Sequence, residues 1–401
     1  MIRNRRFLLL TVFLSITASV SCDTISVISQ VSSPSIQKDN TPVVADDPTM
    51  DATPATRLEM DSTNPPSLDS DTWTIEEIRS GVNISSAISF TLDSDNHPHL
   101  VYSVGNGASL IYETNAGGEW MREEVDGHAK SFSGALRVDS NNQPRVAYCA
   151  FGCPTAFCFC SQLMYATREG GSWQSTSLDS GSSFMGNGAA LDLDTNDHPH
   201  IAYYSASSVV YTYFNGSSWS KSTVGQFGLE HWAVPSIGLD GKNQPHIAYG
   251  NPNVEVGDIQ YGYLDEGKWV MESIGKGLSA VLEMDDHDEP HILACDNIGW
   301  RHLKYFHGAE GIWNTDILYE HESFCMGGLA VNSSGFPHIV YADRDAAVLF
   351  YTYFDGAAWR KVVVHNGPVI GAGISLDKDD KPHVIFVLNQ PGSIFYATMR
   401  K

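Results

Sequence analysis

Basic residues are scarce in this 401-residue chain: 24 Lys and Arg stand against 47 Asp and Glu, a formal charge of −23. That balance argues against nucleic acid or anionic lipid as a partner, since both are bound by neutralising phosphate charge. Long apolar runs are also missing. The one candidate, Phe7 to Ile16, is too short to span a bilayer. Aromatics are nearly missing from residues 23–70, which are rich in Ser, Thr, Pro and Asp. Such a composition excludes a packed core there and reads as a disordered tether. Cysteine is sparse, with 7 in the chain.

Arg3, Arg5 and Arg6 precede the apolar stretch, so residues 1–21 read as an export signal. Cys22 follows Ser19-Val20-Ser21. This resembles the cleavage box of bacterial exported lipoproteins, in which the cysteine becomes lipid-modified. The resemblance implies a lipid anchor at Cys22 in the cell envelope as the only contact with membrane. Simple cleavage, giving a secreted soluble protein, is the alternative.

What is present is a repeat. Equivalent prolines occur at Pro98, Pro144, Pro199, Pro245, Pro290, Pro337 and Pro382. A period near 45 residues is the mark of a propeller or solenoid. Before each proline, an apolar run ends in Asp (Asn332 in the sixth unit) five residues upstream. Asp and Pro together set a tight turn. A β-branched and aromatic strand follows, then a strand centred on a tyrosine such as Tyr211, then a strand opened by a tryptophan such as Trp219. Four strands per unit, seven times, predict an all-β, seven-bladed propeller of antiparallel blades over residues 71–401. The seventh unit ends without its tryptophan strand, and an unattached one, Trp73 to Ile78, precedes the first unit. This segment is expected to complete the last blade and close the ring.

Loop lengths vary only between the second and third strands and between blades, so one face carries all the variation and is the expected binding face. Its candidate contacts are Phe184, Glu230, His231, Trp232, Arg301, His321, Asp343 and Arg344. Aromatic faces stack on sugars, and carboxylate and guanidinium groups bond hydroxyls. The histidine after the proline recurs at 99, 200, 246, 291, 338 and 383, with Arg145 in the second unit. Equivalent positions on separate blades cannot converge on one ion, so a structural role is expected. The Asp93-Ser94-Asp95 type of turn lacks the further oxygens of a calcium site. No metal or other cofactor is expected.

Cys149, Cys153, Cys158 and Cys160 crowd one expanded loop. An exported protein keeps disulfides, and the nested pairing 149–160 with 153–158 is one of three connectivities. A four-cysteine zinc site is the alternative. Cys295 and Cys325 are expected to bridge two blades.

Asn215-Gly-Ser-Ser-Trp219 and Asp355-Gly-Ala-Ala-Trp359 resemble a shortened Asp-box, the repeat of bacterial neuraminidase-type propellers. In that family the box is structural, so the resemblance implies the fold and no activity. A sialidase would need three arginines around a carboxylate, and only Arg301 and Arg344 fall in variable-face loops. The stretch Glu230 to Asp240 resembles the histidine-bearing loops of propeller polysaccharide lyases, which implies His231 as base and Arg344 or Arg301 as neutraliser of a uronate carboxylate. The leading reading is a non-catalytic, lipid-anchored monomer binding a glycan or protein ligand. A polysaccharide lyase and a protein–protein scaffold are the alternatives.

Overall fold

Each proline begins a strand, and each Asp before it sits in the turn that feeds that strand. In the third repeat the strands are Ala189–Leu193, Pro199–Ser205, Ser208–Phe214 and Trp219–Gln226. They pair antiparallel in that order, and six further repeats do the same. The computed structural model describes residues 56–57 and 72–400, apart from 106–108, 128–133, 151–160, 181–187, 227–233, 252–256, 296–301, 310, 321–325 and 390–391. All described residues fall within one compact unit, Thr53–Lys401. The result is a seven-bladed β-propeller, with the first strand of each blade innermost and the fourth outermost.

The turn between the first two strands explains the recurring Asp. Asp93 Oδ1 accepts the backbone N–H groups of Asp95 and His97, at 2.9 and 2.7 Å. The fourth turn residue takes positive φ and is Asn96, Asn142, Asp197, Asn243, Asp288, Gly335 or Asp380 in successive blades. Asn, Asp and Gly tolerate this conformation best. The same residue also ties blade to blade. Asn142 Oδ1 accepts from Ser94 N and Oγ, Asp197 from Ser140, Asn243 from Thr195 N, and Asp380 from Ser333. Lys378 N donates to Asn96 Oδ1, carrying the belt from the seventh blade to the first.

The recurring histidines hold these turns, as their spacing predicts. His99 Nδ1 meets Tyr112 Oη at 2.6 Å, and its Nε2 meets Asp93 Oδ2 at 3.3 Å. His383 bridges Tyr396 and Asp377 in the same way. Arg145, the exception, puts Nε and Nη2 on Asp139 Oδ2 at 3.0 and 2.7 Å and so does the same work. Asp93, Asp95 and His97 bring donor atoms within 4.8 Å of one another, but both Asp93 oxygens already accept hydrogen bonds within the turn.

The core is seven wedges between blades rather than one centre. Tyr204, Val209, Ile237 and Tyr249 fill the wedge between blades three and four. Second strands are therefore buried on both faces, as in Pro337–Asp343. Each fourth-strand tryptophan stands edge-on to the tyrosine of the preceding blade: Trp219 on Tyr165, Trp269 on Tyr211, Trp313 on Tyr261, Trp359 on Tyr305.

The strand Trp73–Arg79 pairs antiparallel with Ser393–Met399 and completes the seventh blade. Trp73 packs on Tyr351 of blade six, and Trp120 of blade one on Tyr396 of blade seven. The ring closes as the sequence predicts. One feature escapes the sequence reading. Every fourth strand carries a bulge five residues after its tryptophan, at Ile78, Val125, Leu178, Val224, Ile274, Leu318 and Val364. The extra residue turns an apolar side chain inward; six of the seven are buried. A second is the two-residue strand Thr56–Arg57, within the stretch read as tether, which pairs parallel with Asp316 and Ile317 on the outer edge of blade five.

Candidate functional site

Of the predicted contacts, Phe184, Glu230, His231, Trp232, Arg301 and His321 lie outside the described residues. Asp343 and Arg344 are described, at the variable-face end of the second strand of blade six. Arg344 is exposed. Asp343 is buried: its Oδ1 accepts Asp345 N and Ala346 N at 3.1 and 2.9 Å, and its Oδ2 accepts the Tyr319 hydroxyl. Asp343 therefore shapes its loop and anchors a tyrosine from the neighbouring blade.

The meaning of that tyrosine emerges from comparing blade junctions. Six residues after its tryptophan, blade two carries Asp179, whose Oδ2 accepts the Tyr203 hydroxyl at 2.6 Å and Lys221 Nζ at 3.1 Å. At the junction of blades one and two, Asp126 accepts from Tyr148 in the same place. At the junction of blades five and six the three equivalent positions hold Tyr319, Tyr341 and Lys361. The carboxylate that neutralises Lys221 is replaced by a phenol, and Lys361 makes no ion pair among the described residues.

Lys361 lies instead in an aromatic box. Its Nζ is 3.8 Å from the Phe350 ring centroid and 5.3 and 5.4 Å from those of Tyr319 and Tyr341. The quadrupoles of such rings hold a cation. Burial lowers the amine to a pKa of about 8, with the Asp343 carboxylate acting against the shift. Burial, with the bond to Asp343, pushes the Tyr319 hydroxyl up, so Tyr319 keeps its proton. The set can bind an anion and stack on a flat apolar face.

A second group of charges lines the central channel. Thr91, Arg137, Asp192, Gly238, Glu283, Ala330 and Ser375 occupy one position of the seven innermost strands, each paired with the residue after the repeat proline. They bound a cavity of about 290 Å3. Arg137 thus points to the channel, and Arg168 makes a two-pronged pair with Glu123 at 2.7 Å. Neither belongs to the variable face, as the sequence reading expected.

Cys149 and Cys295 are buried at or near the ends of their second strands. Cys153, Cys158, Cys160 and Cys325 lie outside the described residues.

No family model matches the sequence, and no curated protein matches it. Solved structures do match. The chain is similar in fold to ulvan lyases. A PL25 polysaccharide lyase, an ulvan lyase bound to -[GlcA(1-4)Rha3S]-, superposes with a TM-score of 0.56 at 12% identity, over 82% of this chain and 98% of that one. Another structure of a PL25 ulvan lyase gives 0.51 at 12% identity over the same shares. The Aleuria aurantia lectin in complex with Fucα1-6GlcNAc gives 0.44 at 14% identity, over 72% of this chain and 98% of that one. At these identities the likeness is one of fold.

Tyr319 and Lys361 escaped the sequence reading, although the signal was present. Six residues after the tryptophans the chain reads Arg79, Asp126, Asp179, Gly225, Gly275, Tyr319 and His365. Only an alignment of repeats against each other shows a phenol where two other units carry a carboxylate.

Proposed function

We propose that this is an exported, lipid-anchored binding propeller that captures an acidic glycan on its variable face. The uronate carboxylate docks on Lys361 at the junction of blades five and six. The observation that carries this reading is the replacement of the Asp179 position by Tyr319. A lysine without the ion pair that Lys221 makes to Asp179, boxed by three rings, is completed by a ligand that brings a carboxylate and a sugar face together. Arg344, exposed one residue beyond Asp343, contacts the rest of the chain of sugars. The likeness in fold to lyases of uronate-containing polysaccharide is in keeping with this ligand class.

The reading is non-catalytic because Tyr319, whose ring flanks the amine, is held protonated by burial and by Asp343 and so supplies no base there. Cys22 carries the lipid, the acidic propeller stands clear of the membrane, and it works as a monomer. Cys149 and Cys295 pair with loop cysteines, a reading their burial supports. The turn at Asp355, whose Oδ1 accepts Ala357 N and Ala358 N, acts as an Asp-box-like structural cap.

A glycan array on the full chain tests the proposal. Binding confined to uronate-containing glycans, with no new unsaturated-uronate absorbance, supports it. Release of unsaturated product, lost in His231→Ala, makes the protein a lyase instead. A silent array with capture of a protein partner makes it a scaffold.

A further inference from the structure

The channel ring departs from the repeat as sharply as the junction of blades five and six does. Four of its positions are small and neutral, and three carry charge: Arg137, Asp192 and Glu283. Asp192 is fully used. Its Oδ1 accepts Arg137 Nε at 3.2 Å and Leu193 N at 3.0 Å, and its Oδ2 accepts Leu239 N at 3.0 Å. Arg137 also donates Nη1 to Leu136 O at 3.2 Å, which leaves Nη2 for the cavity. Glu283 has no hydrogen bond or ion pair among the described residues. Its ring neighbours are Gly238 and Ala330, the two smallest, so its carboxyl borders open space. A side chain at Gly238 would run into Met284 Cγ at 2.9 Å.

The cavity, at about 290 Å3, is close to the small end of ligand pockets and far larger than one water needs. It presents a guanidinium fixed by Asp192 on one side and an unpartnered carboxyl on another. A simple anion would satisfy Arg137 but face the acid. A simple cation would satisfy Glu283 but face the guanidinium. We infer that this end of the channel is a binding site for a small zwitterion of the amino-acid class, its carboxylate on Arg137 and its ammonium on Glu283. The site is separate from that junction and does not depend on the glycan reading.

Burial raises the Glu283 carboxyl to a pKa of about 7, with Arg137 lowering it and Asp192 adding to the rise. The other ring positions, Thr91, Gly238, Ala330 and Ser375, do not titrate in this range. An ammonium beside Glu283 favours its ionised form, so binding near pH 6.5 releases protons and affinity grows as pH rises through 7.

Calorimetric titration of the full chain with glycine, β-alanine and L-serine tests this, with acetate and methylammonium as half-ligands. The amino acids should bind at least tenfold more tightly than either half-ligand, and tenfold more tightly at pH 8.5 than at pH 5.5. Glu283→Gln should lose at least tenfold in affinity and all of the pH dependence. Wild-type protein that binds none of the three, or a Glu283→Gln protein that binds like wild type, overturns the inference. Should that variant not fold, proton release by the wild type, read from titrations in buffers of different ionisation heat, decides alone: none released means no ammonium on Glu283.

Discussion

The indole of Trp73 meets the ring of Tyr351 edge-on, centroids 5.5 Å apart and planes at 88°. These residues are 278 positions apart in a chain whose other fourth-strand tryptophans make the same contact with the blade before them. The contact places the strand Trp73–Arg79 in the last blade. Without it the outer edge of Ser393–Met399 would be left unpaired, so closure depends on it.

Truncating that indole should therefore cost what a buried core aromatic costs. Trp73 is 4 % exposed, and Trp73→Ala should lower unfolding free energy by about 3–5 kcal/mol. Urea denaturation checks this. A midpoint like that of wild type would mean that the strand is not needed for closure.

The sixth blade carries Asn332 where the others carry Asp, and this fixes the protons on its histidine. Asn332 Oδ1 accepts Ser334 N and Phe336 N, so its Nδ2 faces His338 Nε2. The ring must accept there and donate from Nδ1 to Tyr351. At His99 and His383 a carboxylate faces Nε2, so that nitrogen holds the proton instead. Nitrogen NMR should find His338 in the opposite tautomer from His99 and His383. Asn332→Asp should switch it and raise its pKa.

Acid should unfold the ring through the same histidines. Burial lowers the pKa of all six, and His338, lacking a carboxylate partner at its turn, falls to about 4. A base with a lowered folded pKa contributes stability that is full above its unfolded value near 6.5 and is lost as pH falls toward the folded value. His338 alone accounts for roughly 3 kcal/mol of that loss. Thermal midpoints should fall steeply between pH 6.5 and 4, less so in Asn332→Asp. A flat profile would contradict buried neutral rings.

Much of this architecture is legible in sequence because each repeat writes the same physics seven times. The proline, the turn Asp, the tyrosine and the tryptophan each mark a position whose partner lies within the unit or in the adjacent one. Trp73 was readable for the same reason. The bulge at Ile78 and its equivalents was not, since an extra apolar residue in a strand looks like any other until pairing is known. The Lys361 junction and the channel set were missed for a different reason. Lys361, Tyr319, Arg137 and Glu283 are ordinary residues in their own segments. Each becomes unusual only when register shows what the other blades place there.

The proposed glycan site rests on Lys361 taking a carboxylate. Its most direct measurement is calorimetric binding of glucuronate- and galacturonate-containing oligosaccharides, and of their carboxyl-methyl esters, to wild type and Lys361→Met between pH 6 and 10. Esterification should cost at least tenfold in affinity, and wild-type affinity should hold below pH 8 and fall above it as the ammonium is lost. Lys361→Met should bind at least tenfold more weakly with no such fall. Acids and esters that bind alike, or a Lys361→Met protein that binds like wild type, would contradict the account.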